Sequence, residues 1–286
     1  KLNVENVLQT AIIKNNNDIK INIQIISIET GNIIIQNTVD AKINDLVEIS
    51  GKIVLSILDY FTIDAPEVLK QSLDKSSNIN AEAYEYFLEG KYLYNHISQP
   101  NDLENAKSLF EKAVQKDNEF SLAHGGLALT YNKLGKFSDA EEELDIAQDI
   151  SEENNDFSIL SIIYKYKGII YLSRTHYKKG VRFFEKALKS QKGHHDDRSE
   201  AEILSNMSGC LANSIIKEYD KALQLLKRCQ DVYTKYEMFL HLATSYAQVG
   251  NVYKNSFYYS NAIENYEKAK QYFHKENMSF NIIKIS

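Results

Sequence analysis

The sequence predicts a mainly α fold: an α-solenoid of about five helix pairs preceded by a small α/β segment made of an antiparallel hairpin and a helix. Three observations carry this. First, from Ala106 onward a small residue is followed four positions later by an apolar or aromatic one, and three further on by another small one. The instances are Ala106/Phe110/Ala113, Ala140/Leu144/Ala147, Gly180/Phe184/Ala187, Ala222/Leu226/Cys229 and Ala262/Tyr266/Ala269. Their first members are 34, 40, 42 and 40 residues apart, a spacing of stacked helical units rather than of one enzyme core. Second, Ile19, Ile21, Ile23 and Ile25 alternate with Lys20, Asn22 and Gln24, the pattern of a half-buried strand. Third, the chain has 2 prolines and 19 tyrosines in 286 residues, which suits long helices packed by rings, since an interior proline costs a helix about 3 kcal/mol.

Taken in order, residues 1–65 form the α/β segment. Turn-rich Asn15-Asn16-Asn17-Asp18 and Thr30-Gly31-Asn32 bracket the isoleucine run, which predicts three antiparallel strands near Val4 to Lys14, Asp18 to Glu29 and Asn32 to Asp40. A helix follows, with an apolar stripe of Ile43, Leu46, Val47, Ile53, Val54, Ile57, Leu58 and Phe61 that can cover one sheet face. Pro66 and the polar stretch Ser72 to Asn80 mark a linker over 66–80, in which Val68 to Leu73 has the composition of a short helix. Helical repeats fill 81–275, and 276–286 is a tail, read as the start of a further helix or a loose end.

Each repeat reads as two helices. In the first unit the segment from Glu82 to Asn95 carries Tyr86, Phe87, Leu93 and Tyr94, with Gly90 where a neighbouring helix can approach closely. Pro100, Asn101 and Asp102 stop and restart the chain, after which Leu103, Ala106, Leu109, Phe110, Ala113 and Val114 share one helical face. The second unit repeats this with Leu122, Leu127 and Tyr131, a break at Gly135, then Phe137, Ala140, Leu144 and Ala147. Gly168 with Tyr171 opens the third unit and Gly250 with Tyr253 the fifth. The fourth matches worst, with Cys210 and Asn213 in those slots.

These residues resemble the tetratricopeptide repeat, whose unit has Gly-x2-Tyr in one helix and Ala-x3-Phe-x2-Ala in the next. The resemblance spans Ala81 to Phe273. It departs from the family in its longer units and in the slot that usually holds Trp, which here holds Tyr86, His124, Tyr164, Asn206 and Tyr246. The string Ile25-Ile26-Ser27-Ile28-Glu29-Thr30-Gly31-Asn32 resembles the amino-terminal α/β domain of TolB-like proteins. That resemblance implies further sheet before Lys1, and a bacterial arrangement in which such a segment is joined to tetratricopeptide repeats.

Charge and composition narrow the function. A formal charge of −6 lacks the Lys/Arg excess that phosphate backbones attract, so no nucleic acid is expected as partner. No run approaches the roughly 18 apolar residues of a membrane span, so direct membrane insertion is not expected. Cys210 and Cys229 form no CxxC pair, and Cys229 takes a slot held elsewhere by Ala, which makes it a small buried hydrophobe. No phosphate-cradling loop occurs, as Gly51-Lys52 lacks the remainder of that motif. Glu141-Glu142-Glu143 falls on the polar side of an amphipathic helix. The sequence His194-His195-Asp196-Asp197 offers metal-ligating side chains in succession, but neighbours seldom converge on one ion, so it reads as a solvated loop between repeats. No catalytic residue, cofactor or metal is therefore assigned.

What remains is surface. The first helix of each tetratricopeptide pair lines the concave side of such arrays. The resemblance therefore implies a peptide-binding set of Tyr84, Phe87, Lys91, Tyr94 and Asn95, then Asn132 and Lys133, Lys165 and Tyr166, and finally Asn251, Lys254 and Asn255. Lys and Asn can bond a peptide's carboxylate or main chain, and aromatic rings add area at low entropic cost. For Tyr84, Phe87 and Tyr166, packing against neighbouring helices is the competing reading, because a one-residue shift of helix phase turns them inward. The leading expectation is a non-catalytic scaffold for a protein or peptide partner. The alternative is the sensory or regulatory portion of a larger bacterial signalling enzyme or transcription regulator whose active domain lies upstream. A stand-alone hydrolase built on His194 and His195 ranks third. Uncovered strand edges and array ends make a homo-oligomer a further expectation.

Overall fold

The computed structural model describes residues 5–16, 18–42, 49, 51, 53–55, 57, 58, 79–191, 196–213 and 217–285. The expected linker helix at Val68 to Leu73, and His194 and His195, lie outside them. Contacts divide the chain into two units, residues 1–123 and 124–286.

In the first unit three antiparallel strands follow one another, β1 (Asn6–Asn15), β2 (Asp18–Ser27) and β3 (Ile33–Lys42), in the order β1-β2-β3. The β2–β3 turn is closed by Gly31, whose φ of +68° lies in the left-handed region that glycine enters without steric cost. The period-two pattern puts Ile19, Ile21, Ile23 and Ile25 on one face, where they are 2–5% exposed. Helical residues between 49 and 58 cover that face, with Ile49 and Ile53 packed into the same cluster as Ile19, Ile21 and Ile23. The strands thus fall where the alternation predicts; of the apolar stripe, Ile53 packs inward and Val54 is 40% exposed, while Ile43, Leu46, Val47 and Phe61 lie outside the described residues.

The same unit contains the first helix pair, α1 (Ala81–Asn95) and α2 (Asp102–Lys116). Asn80 caps α1 by accepting from the Ala83 N–H at 3.1 Å. Gly90 lets the ring of Phe110 come within 3.1 Å of where a Cβ would stand, and Phe87 meets Phe110 and Phe120 at centroid distances of 6.0 and 5.0 Å. Helix α3 (Ser121–Lys133) then begins in the first unit and continues in the second.

The second unit continues with α4 (Phe137–Glu153), α5 (Phe157–Ser173), α6 (Tyr177–Ser190), α7 (Asp197–Asn213), α8 (Tyr219–Lys235), α9 (Phe239–Asn255) and α10 (Tyr259–Ile285). Helices α5 and α6, α7 and α8, and α9 and α10 pack as hairpins, and each packs on the next through α4–α5, α6–α7 and α8–α9. The small–apolar–small triplets form the seams: Ala140, Leu144, Ala147, Phe184, Ala187, Ala222, Leu226 and Cys229 are all at most 1% exposed. Such burial against the next pair only is the physical content of a repeat array.

The turns share one device. Each of Gly135, Asn155, Thr175, Glu237 and Phe257 has a positive φ of 50–76°. The residue after each donates its N–H five positions back: Lys136 to Tyr131, Asp156 to Ser151, His176 to Tyr171, Met238 to Tyr233 and Tyr258 to Tyr253, at 2.8–2.9 Å. This closes each helix with a 6→1 bond around a left-handed residue.

Candidate interaction face

The first helices of successive pairs touch one another in the second unit: α5 packs on α7 and α7 on α9. Side chains tie them together. Lys165 Nζ on α5 lies 2.8 Å from Glu202 Oε2 on α7, and the other oxygen of Glu202 lies 3.9 Å from His241 Nε2 on α9. Ser205 of α7 donates to Gln248 Oε1 of α9 at 2.7 Å, and Ser173 of α5 donates to Asn132 Oδ1 of α3 at 3.1 Å. The result is a polar, cross-linked row of helices.

Against this frame the expected binding residues separate. In the first unit Lys91 and Asn95 are exposed, with Lys91 Nζ 5.8 Å from the Phe87 ring centre, and Tyr84 is half-buried. Phe87 is only 7% exposed and belongs to the aromatic core between α1 and α2, so inward packing is the reading that holds for it. Tyr94 is half-buried, and burial pushes its hydroxyl pKa up to about 12.

In the second unit Tyr166 is half-buried; its ring lies 3.0 Å from where a Cβ on Gly125 would stand, so it helps fill the α3–α5 seam. Lys165 and Asn132 are committed to the bridges already described. Lys133 is exposed by area at the end of α3, yet partial desolvation lowers its ammonium pKa. Asn251 is exposed and its Oδ1 accepts from the Tyr266 hydroxyl at 2.8 Å. Asn255 is half-buried and its main-chain oxygen accepts from the Tyr219 hydroxyl at 3.0 Å, while Lys254 is exposed. Of the polar members, Asn132, Lys165 and Asn251 bond other helices through their side chains, while Lys91, Asn95, Lys133 and Lys254 are exposed.

Sequence reasoning missed Glu202, Ser205, His241 and Gln248. The weak glycine–tyrosine signature of the fourth repeat obscured the register of α7, and with it the side that Glu202 and Ser205 present. It also missed buried polar links behind the face. His124, in the slot that the family gives to Trp, has Nδ1 2.6 Å from Glu143 Oε2. Lys167 is 7% exposed and bonds Asp145 Oδ1 at 2.7 Å and Gln148 Oε1 at 2.5 Å, which satisfies an ammonium that would otherwise be costly to bury.

Two concavities accompany these elements. A groove of about 340 Å³ is lined by Ala247, Tyr266, Ala269, Lys270, Phe273 and His274 on α9 and α10. A smaller cavity of about 90 Å³ lies among Glu141, Asp145, Lys167, Tyr171 and Phe183, with its charges already paired. Among the described residues no group of three His, Cys, Asp or Glu is placed to hold a metal. Asp197 begins α7 and takes a 3.0 Å bond from Lys235, while Glu141 and Glu143 pair with Arg174 and His124. No described helix is long and apolar enough to cross a membrane.

Comparison with known families agrees with this architecture. A tetratricopeptide repeat model matches residues 99–156, and a model described as soluble NSF attachment protein, SNAP, matches residues 160–285. The chain therefore carries tetratricopeptide repeats. Neither match reaches the N-terminal sheet. No curated protein matches the sequence significantly.

Among solved structures, BtubC (BKLC) from P. vanneervenii is similar at 16% identity over 81% of this chain and 90% of that one, with a TM-score of 0.53. A Signal Transduction ATPase with Numerous Domains (STAND) protein with a tetratricopeptide repeat sensor, from Pyrococcus horikoshii, aligns over 81% of this chain and 34% of its own, at 21% identity and a TM-score of 0.58. A Rap protein complexed with Competence and Sporulation Factor aligns over 80% and 71% respectively, at 13% identity and a TM-score of 0.59. At these identities the likeness is one of fold.

Proposed function

We propose that this chain is a non-catalytic scaffold that captures a peptide or a partner domain on the row of first helices. The observation that carries the proposal is the bridging of α5, α7 and α9 through Lys165–Glu202 and Ser205–Gln248. Interhelical bonds of this kind fix a polar surface before a ligand arrives, which lowers the ordering cost of binding. In the second unit Lys133, Lys254 and Asn251 supply cationic and amide groups to a ligand's carboxylates or main chain, and in the first unit Lys91 and Asn95 offer the same chemistry separately. Phe87 is omitted from the contact set because it is interior. The Rap structure, a complex with Competence and Sporulation Factor, is consistent with capture of a factor by this fold.

A second reading makes the chain the sensory or regulatory part of a larger signalling protein. It is favoured by the likeness to the STAND protein, whose tetratricopeptide repeats are a sensor and of which this chain spans 34%. Under either reading the TolB-like N-terminal segment docks, pairs or transmits the binding event.

Panning a displayed peptide library against the full chain tests the proposal. Enriched peptides are expected to lose most of their affinity when Lys133 and Lys254 are both replaced by Ala, with the circular dichroism spectrum and melting temperature unchanged. Peptides retained equally well by the double variant would place binding elsewhere and sink the assignment.

A further inference from the structure

We infer that β1 is the pairing edge for a second copy of this chain, joining two sheets antiparallel about Thr10. The main-chain hydrogen bonds set the geometry. Ile28 donates to the carbonyl of Glu5 at 2.9 Å, and the β1–β2 register places Glu5 opposite Ile28. Opposed residues in an antiparallel ladder alternate between bonded and non-bonded pairs. Odd-numbered residues of β1 therefore turn their main-chain groups toward β2. Asn6, Leu8, Thr10, Ile12 and Lys14 turn theirs to the open edge.

Between Asn6 and Ile13 the described edge lacks the devices by which sheets keep other strands away, the one charged residue of β1 being Lys14 near its end. Residues 6–13, Asn-Val-Leu-Gln-Thr-Ala-Ile-Ile, contain no charge and no proline, and pair with β2 without a register shift. Val7, Leu8, Ile12 and Ile13 are 43, 54, 63 and 56% exposed. The opposite edge is different: the β2–β3 ladder has an irregularity at Ile25/Ile26, and β3 carries Asp40, ion-paired with Lys20 at 3.3 Å. Among the described residues, 6–13 of β1 carry no comparable device.

The occupant is identified by the pattern of β1 itself. When two β1 strands run antiparallel with Thr10 opposite Thr10 of the second copy, Leu8 faces Ile12 and Val7 faces Ile13, each in both directions, while Gln9 faces Ala11. Val7, Leu8, Ile12 and Ile13 each meet another of the four. Shifting the centre to Gln9 or Ala11 breaks this, since Ile12 would then oppose Asn6 or Thr10. In the Thr10-centred register the outward-facing pairs, Leu8 with Ile12 and Thr10 with Thr10, are the bonded ones, so each exchanges two hydrogen bonds. Leu8 and Ile12 stand opposite Ile25 and Ile21 of β2, so the apolar face covered by Ile49 and Ile53 continues across the two-fold axis.

Sedimentation of the full chain over a concentration series tests this. The wild type is expected to dimerise. Thr10→Pro removes an outward N–H that β2 does not use and is expected to give a monomer; Ile12→Lys, which leaves the backbone intact, is expected to do the same. Hydrogen exchange gives a second readout, with the Leu8, Thr10 and Ile12 amides protected in the dimer and released on dilution. A wild type that stays monomeric at all concentrations overturns the inference, as does a dimer that survives both substitutions. A monomer with those three amides protected also overturns it, and assigns the edge to another strand of the same chain.

Discussion

A Cβ placed on Gly168 would stand 2.5 Å from Cε1 of Phe184, so α5 and α6 cross at a separation only a residue without a side chain permits. Gly250 and Tyr266 repeat the relationship at 2.6 Å in the α9–α10 pair. In these pairs the aromatic of the triplet is a knob and the glycine is its hole. Gly168→Ala must push Phe184, 0% exposed, out of a packed core, and is expected to destabilise the chain by roughly 1–3 kcal/mol. Gly209, in α7, has nothing nearer than 3.6 Å to an added Cβ. Gly209→Ala is expected to stabilise by about 0.5–1 kcal/mol through helix propensity alone. Urea unfolding of the two variants checks both signs, and a neutral Gly168→Ala would mean that the crossing is looser than described.

The repeats were legible because their signal is the packing itself: small residues at seams and rings in holes recur with the helical period, and tertiary contact selects them directly. The three strands were legible for the same reason, as Ile19, Ile21, Ile23 and Ile25 all bury one side. The binding face was less so. Family slots place a residue on a helix, but its availability depends on neighbours from the adjoining repeat. Lys165 is engaged by Glu202 and Asn132 by Ser173, each from the adjoining repeat, and Asn251 by Tyr266 of its own helix pair.

The turns between helices were legible only in part, which leads to a second prediction. Gly135 announces its left-handed conformation, whereas Asn155, Thr175, Glu237 and Phe257 adopt it without the residue type that signals it best. Thr175 is the most strained by type, a β-branched residue at φ +60°. Replacing it with Gly removes that steric cost, and because Thr175 is exposed the loss of its side chain forfeits little packing. Thr175→Gly is expected to raise stability by about 1 kcal/mol, net of the entropy that glycine adds to the unfolded chain. An unchanged or lowered urea midpoint would show that the turn relaxes without help.

The two thiols supply a prediction in pH. Burial pushes Cys210 and Cys229 from the ordinary 9.0 up to about 12, and the Sγ of Cys229 donates to the Ala201 carbonyl at 3.2 Å. A folded pKa above the unfolded one means that the folded state holds its proton longer. Stability contributed this way is complete below pH 9, and falls as pH rises from 9 toward 12, where the unfolded chain alone releases protons. The urea midpoint is therefore expected to be level through neutral pH and to decline on the alkaline side. Cys229→Ala, which restores the residue that other repeats place in this slot, should shrink the decline without disturbing the seam. At pH 8 a shift of this size leaves about a thousandfold less thiolate than a free cysteine has, so iodoacetamide should label the native chain only as fast as it opens. Labelling of either cysteine at the free-thiol rate in native buffer would contradict the burial on which the fourth and fifth repeats close.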